Sequence, residues 1–146
     1  MRLWHKDLIS VLPRQQLLGQ WRECCCIARN IKVNGTPNHL LVNKIMDYPI
    51  AHFRIYSQLI YFELQYRDFK VNEKGFSKWI PLFTEDPAPA YSDLFSTWHN
   101  NRYMMQCLFN LQEKFDCGGI PDDEYERILD FQDSWLNNGT LLRKGR

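Results

Sequence analysis

At 146 residues, 45% of them hydrophobic and 14% aromatic, the chain has enough apolar side chain for one ordinary core that buries roughly two thirds of its unfolded surface. Its net charge of +1 excludes a general electrostatic pull toward nucleic acid or an anionic membrane, so any DNA site has to be a local basic patch. No apolar run approaches the roughly 18 to 20 residues that span a bilayer, and Met1-Arg2-Leu3-Trp4-His5-Lys6-Asp7 lacks a signal-peptide stretch, which predicts a cytosolic (cytoplasmic) location.

Ser10 and Pro13 mark a helix start, and Leu17, Trp21, Cys24 or Cys25 and Ala28 then recur at helical spacing, which predicts a first helix from Ser10 to Arg29. Asn34-Gly35-Thr36-Pro37 breaks the pattern, and the segment from Asn38 to Asp47 has room for a short helix. A second helix is predicted from Tyr48-Pro49 to Arg67. Phe53, Tyr56, Leu59, Ile60, Tyr61, Phe62 and Leu64 make it apolar nearly all round, which suits the middle of a bundle with neighbours on more than one side. Gly75, Pro81, Pro87 and Pro89 turn the stretch from Asp68 to Ala90 into a long loop with at most one short strand or turn.

A third helix is expected from Ser92 to Phe115, with Leu94, Trp98, Met105, Leu108, Leu111 and Phe115 as its apolar stripe and Gly118-Gly119 at its end. Pro121 opens a fourth, whose Asp122, Asp123 and Glu124 suit the positive end of the helix dipole. Tyr125, Ile128, Leu129 and Trp135 would face inward there, and Asn137-Asn138-Gly139 would close it. The basic tail Leu141-Leu142-Arg143-Lys144-Gly145-Arg146 is either solvated or in contact with phosphate. The expected fold is all-α: one domain over residues 1–146, a compact helical bundle of three to four main helices with a long connecting loop.

Five cysteines, three of them adjacent at Cys24-Cys25-Cys26, suit neither a disulfide framework nor paired metal ligands, and read as reduced, mostly buried thiols. His5, His39, His52 and His99 lack any zinc-binding spacing, so no metal site is expected. At 3.6 residues per turn, Gln15, Gly19, Glu23 and Cys26 share one edge of the first helix, with Gln16 and Arg22 beside them. Gly19 either clears space above the Glu23 carboxylate or lets another helix pack closely. Arg22-Glu23 taken alone also fits a solvated face. His39 and Asn43 form either a polar site or a structural hydrogen bond, whereas Trp4, Trp21 and Trp98 could stack on bases or pack the core.

The run Leu8-Ile9-Ser10-Val11-Leu12-Pro13-Arg14-Gln15-Gln16-Leu17-Leu18-Gly19-Gln20-Trp21-Arg22-Glu23 resembles the N-terminal helix of the pyrimidine-dimer DNA glycosylases, the phage endonuclease V family. It is most similar to bacterial members that begin Met-Arg-Leu-Trp. Phe62-Glu63-Leu64-Gln65-Tyr66-Arg67-Asp68-Phe69-Lys70-Val71 resembles the end of the family's second helix, and Leu111-Gln112-Glu113-Lys114-Phe115 part of its last long helix. The resemblance implies a helical bundle whose N-terminal segment passes between helices.

It also implies a chemistry: DNA repair by a glycosylase with abasic-site lyase (endonuclease) activity, in which the chain's own α-amine attacks C1′ of the damaged nucleotide to form an imine and β-elimination then cuts the strand. The amine would be that of Met1. An α-amine titrates near 8 against about 10.4 for lysine, so far more of it is neutral at pH 7. Glu23 would be the catalytic carboxylate that stabilises cationic intermediates and moves protons. Arg2 and Arg22 would bind phosphates beside the lesion, Gln15 and Gln16 would reach backbone or base edges, and Lys114 would face the DNA. The implied partner is damaged double-stranded DNA, reached by a monomer with no cofactor, in a kinked duplex with an extruded nucleotide. Cys26 and Asn110 stand where the family pattern has basic residues, and the segment before Glu23 is one residue longer. The alternative is a helical module that binds nucleic acid or protein and has kept the fold without the reaction.

Overall fold

The computed structural model describes residues 1–71, 74 and 87–144, with side chains given as far as residue 137. Most of the predicted Asp68–Ala90 loop, with its Gly75 and Pro81, and the last residues of the basic tail lie outside the described residues. Residues 6–11 form a short 3-10 helix, η1 (Lys6–Val11), before α1 (Arg14–Asn34) begins. The predicted start at Ser10 is therefore four residues early. Leu12, at φ −58° and ψ 136°, is held extended by the proline that follows it, because an α conformation there would clash with the Pro13 ring.

Helix α1 continues past the predicted end at Arg29 and stops at Gly35, whose φ of +74° lets its N–H return to the Ile31 carbonyl at 2.8 Å. Its buried stripe is Leu17, Gln20, Trp21, Cys24, Ile27 and Ala28. The segment after it contains the expected short helix, η2 (Asn43–Asp47). Helix α2 (Ala51–Tyr66) packs Phe53, Tyr56, Ser57, Ile60, Tyr61 and Leu64 inward against α1 and η1. It is apolar nearly all round but not buried all round, since Phe62 and Tyr66 are exposed. Arg67 ties its end to the η1–α1 connection by donating to the carbonyls of Leu12 (2.8 Å) and Ser10 (3.1 Å), while it pairs with Glu63 at 2.9 Å.

The expected third helix is two pieces. A 3-10 turn, η3 (Tyr91–Asp93), leads into irregular chain, and α3 (Asn101–Asp116) starts only after Asn100, whose side chain accepts the Tyr103 N–H at 3.0 Å. Phe95 interrupts the pattern. Its backbone is left-handed, φ +49°, and its fully buried ring is packed among Tyr48, His52, Trp98 and His99 at centroid distances of 5.1 to 5.6 Å. Burial of an aromatic ring of this size outweighs the strain of one positive φ.

Gly118, at φ +80°, reverses the chain into α4 (Asp122–Lys144), where Phe115 stacks on Tyr125 at 4.1 Å and an interplanar angle of 6°. Tyr125 and Ile128 point inward as expected, but Leu129 is exposed. The helix also runs through Asn137-Asn138-Gly139, because one interior glycine costs about 1 kcal/mol and does not by itself stop a helix. The chain is thus all-α among its described residues, a bundle of four main helices. No described helix is long and apolar enough to cross a membrane.

The core includes the N-terminal segment itself. Leu3, Trp4, His5 and Lys6 are all buried, threaded between α1, α2 and α3. Their backbone is matched by side chains from all three helices and the turn before α3. Tyr103 donates to the Leu3 carbonyl at 2.5 Å, and the Lys6 N–H donates to His99 Nδ1 at 2.9 Å. The Lys6 ammonium is satisfied by the carbonyls of Tyr91 (2.7 Å) and Leu94 (2.8 Å), and burial lowers its pKa. The cysteines divide differently from expectation: Cys24 and Cys107 are buried and Cys25 is half-buried, but Cys26 and Cys117 are exposed, and all five are free thiols.

Candidate active site

Gln20 organises the approach to Glu23. Its side chain is buried on α1, where Oε1 accepts the Trp4 N–H at 2.8 Å and Nε2 donates to the Arg2 carbonyl at 2.9 Å and to Glu23 Oε2 at 3.4 Å. The Tyr56 hydroxyl is shared between the Trp4 carbonyl (2.6 Å) and Gln20 Oε1 (3.1 Å). One glutamine and one tyrosine therefore fix the backbone of residues 2–4 against two helices. Gln20 was absent from the sequence-derived candidates. The signal was its place within the buried stripe of Leu17, Trp21 and Cys24, where a polar side chain has to find partners.

Held this way, the N-terminal segment presents the Arg2 N–H to Glu23 Oε2 at 3.3 Å. The α-amine of Met1 is three covalent bonds back from that N–H. Met1, 40% exposed, and the half-buried Glu23 open into one cleft of about 240 Å³, lined also by Arg2, Trp4, Leu41, Asn110 and Lys114. Two side-chain cations, Arg2 and Lys114, face the one carboxylate among these lining residues. Asn110 and Lys114 are one turn apart on α3, so the neutral Asn110 occupies the cleft where a second α3 cation would fit.

Arg2 is turned partly inward. Its guanidinium lies 5.4 Å from the centroid of the Trp4 ring, and its charge acts on the Tyr103 hydroxyl and the Cys107 thiol. Burial is the main cause that drives the Tyr103 hydroxyl and the Cys107 thiol above their ordinary pKa values, and this arginine opposes it in both. Trp4, Trp21 and Trp98 are all core residues, with Trp4 alone also reaching the cleft wall.

The other sequence-derived candidates lie elsewhere. Gln15 is exposed and Gln16 half-buried, roughly 10 to 12 Å along α1 from Glu23, and neither lines the cleft. Arg22 borders a separate groove of about 430 Å³ with Trp21, Cys26, Leu64 and Lys70. A Cβ at Gly19 would meet only the tip of the Arg22 side chain, at 3.9 Å. Among the described residues, no second helix packs closely on that glycine. His39 and Asn43 serve a turn: Asn43 Oδ1 accepts the His39 N–H at 3.0 Å.

Comparison with protein families matches residues 1–76, just over half of the 146, to the pyrimidine dimer DNA glycosylase family. The chain belongs to this family. Membership implies a glycosylase acting on pyrimidine dimers, with damaged DNA as its substrate. The match takes in Met1, Arg2, Gln15, Gln16, Arg22 and Glu23 as well as the quoted segment at the end of α2, while Lys114 and the α3 likeness fall beyond it. No curated protein and no solved structure gives a significant match to the chain.

Proposed function

We propose that this family member is a DNA repair glycosylase with abasic-site lyase activity, working through an imine on the α-amine of Met1 with Glu23 as its proton-transfer group. The observation that carries the reading is the shared cleft, in which the chain's first residue and a helix carboxylate are linked by the Arg2 N–H to Glu23 contact at 3.3 Å. A nucleophile and an acid–base group have to reach the same carbon, and proximity of this kind removes the entropy of assembling them.

The neutral amine attacks C1′ of the damaged nucleotide, the glycosidic bond breaks, and the base leaves with its electron pair and takes up a proton. Ring opening gives the imine. The Glu23 carboxylate then removes a proton from C2′, the C3′–O bond breaks with departure of the phosphate, and water hydrolyses the conjugated imine to free the amine. Negative charge at Glu23 also stabilises the cationic sugar and iminium along the way. Arg2 and Lys114 offer charge-assisted contacts to the flanking phosphates, and Arg22, with Gln15 and Gln16 further along α1, would touch the duplex outside the cleft. The protein acts as a monomer with no cofactor.

Imine chemistry gives a direct test. Incubation with dimer-containing or abasic duplex DNA and borohydride should yield a covalent complex whose adduct maps by mass spectrometry to the amine of Met1. Absence of cross-linking to both substrates overturns the reaction. Salt-dependent DNA binding that survives blocking of the amine, without turnover, would then support a binding module that kept the fold.

A further inference from the structure

Between α1 and η2 the chain folds into a small hydrogen-bonded knob. Asn38 adopts a left-handed backbone, φ +57°, and the His39 carbonyl accepts the N–H groups of Val42 (3.1 Å) and Asn43 (2.9 Å). Asn43 Oδ1 accepts the His39 N–H at 3.0 Å, and His39 Nδ1 accepts the Leu41 N–H at 3.3 Å. The knob is rooted from below by the fully buried Val42 and Ile45, and Asn30 donates to the Pro37 carbonyl at 3.2 Å.

On this frame Leu40 is 85% exposed and Leu41 is 51% exposed. A single exposed leucine is ordinary. Two adjacent ones on a turn whose hydrogen bonds hold them outward are a different case, because the backbone cannot relax to bury them. Leu41 also lines the same cleft as Met1, Arg2 and Glu23, so one leucine of the pair, with Leu40 next to it in the chain, stands in the cleft where Lys114 and Arg2 supply positive charge. Apolar side chains next to phosphate-binding cations fit the interior of a base stack, which offers apolar faces bordered by phosphates.

We propose that Leu40 and Leu41 are an apolar wedge that enters the base stack of duplex DNA beside the lesion, holding the kink through which the damaged nucleotide reaches the cleft. The proposal rests on the reading of the cleft as a damaged-DNA site. Inserted leucines would replace part of the stacking lost at the opened step, and the rigid knob would set where that opening falls relative to Met1 and Glu23.

The test uses the full chain and its variants Leu40→Ser and Leu40→Ser/Leu41→Ser, with retained folding checked by circular dichroism, and a dimer-containing duplex carrying 2-aminopurine beside the lesion. Wild-type binding should brighten the probe by unstacking it, and the variants should bind with little brightening. Removing the burial of one or two leucines should lower kcat/KM on intact duplex by about 10- to 100-fold. Most of that loss should be recovered on DNA whose lesion sits in a mismatched, already unstacked bubble. No brightening by the wild type, or equal losses on duplex and bubble, overturns the wedge. Brightening by the wild type alone, with neither cleavage nor borohydride trapping, upholds the wedge and removes the imine chemistry instead.

Discussion

Glu23 and Gln20, three residues apart on α1, have different duties that substitution can separate. Glu23→Gln keeps an oxygen that can accept the Arg2 N–H but loses the charge, so under the proposed chemistry strand cleavage should fall by about 10² to 10⁴-fold while DNA binding stays close to wild type. Single-turnover cleavage set beside a gel-shift titration measures both, and unchanged cleavage would take Glu23 out of the mechanism. Gln20→Leu should act on the fold. It strips the buried Trp4 N–H of its acceptor and leaves the Arg2 carbonyl without its donor, which should lower stability by about 2 to 4 kcal/mol. A urea midpoint equal to wild type would show that the N-terminal segment is held by other contacts. The carboxylate stood out in the sequence as a candidate because a motif marks it. Gln20 did not, since a glutamine on a helix looks solvent-facing until its neighbours are seen to be buried.

At the scale of elements, α1, α2 and α4 were legible from their spacing of apolar residues, and the errors lie where local and distant forces compete. The apolar pattern from Ser92 onward is continuous, yet the helix starts at Asn101, because packing of Phe95 and Trp98 among aromatic side chains bends the chain before it. Asn100 then supplies the cap that an early start would not have needed. Asn100→Ala should destabilise the protein by about 1 kcal/mol through loss of its bond to the Tyr103 N–H, seen as a lower thermal midpoint with the fold retained. A midpoint within error of wild type would mean that packing alone sets the start of α3. In α1 the conflict is resolved locally, since Leu12 stays extended before Pro13 whatever surrounds it.

The whole molecule is tied together at His99, which joins the N-terminal segment to the turn before α3. Its Nδ1 accepts the Lys6 N–H, so the ring is neutral with its proton on the buried Nε2. Burial, followed by the charges of His5 and Lys6, lowers its pKa to about 2. Because the unfolded chain binds this proton near pH 6.5 and the folded one does not, stability is intact above pH 6.5. It should fall by about 1.4 kcal/mol for each pH unit below that, until the folded pKa is reached. His5, whose pKa burial also lowers, adds loss of the same sign. Urea midpoints at pH 7 and pH 5 check this: wild type should drop and His99→Gln should drop less, whereas equal slopes would remove His99 as the cause. By itself the sequence determined the helical class, about half of the main-helix boundaries to within a turn, and Glu23 as a candidate through its family motif, because helical periodicity and a short motif are local properties of the chain. Only the tertiary structure decided which residues share the cleft. It threads Leu3 to Lys6 through the core, brings Met1 to Glu23 and Lys114, leaves Arg22 on a separate groove and sets Leu41 on the rim. The physical reason is that these meetings join residues 21 to 100 positions apart, through buried and part-buried hydrogen bonds that no local spacing records.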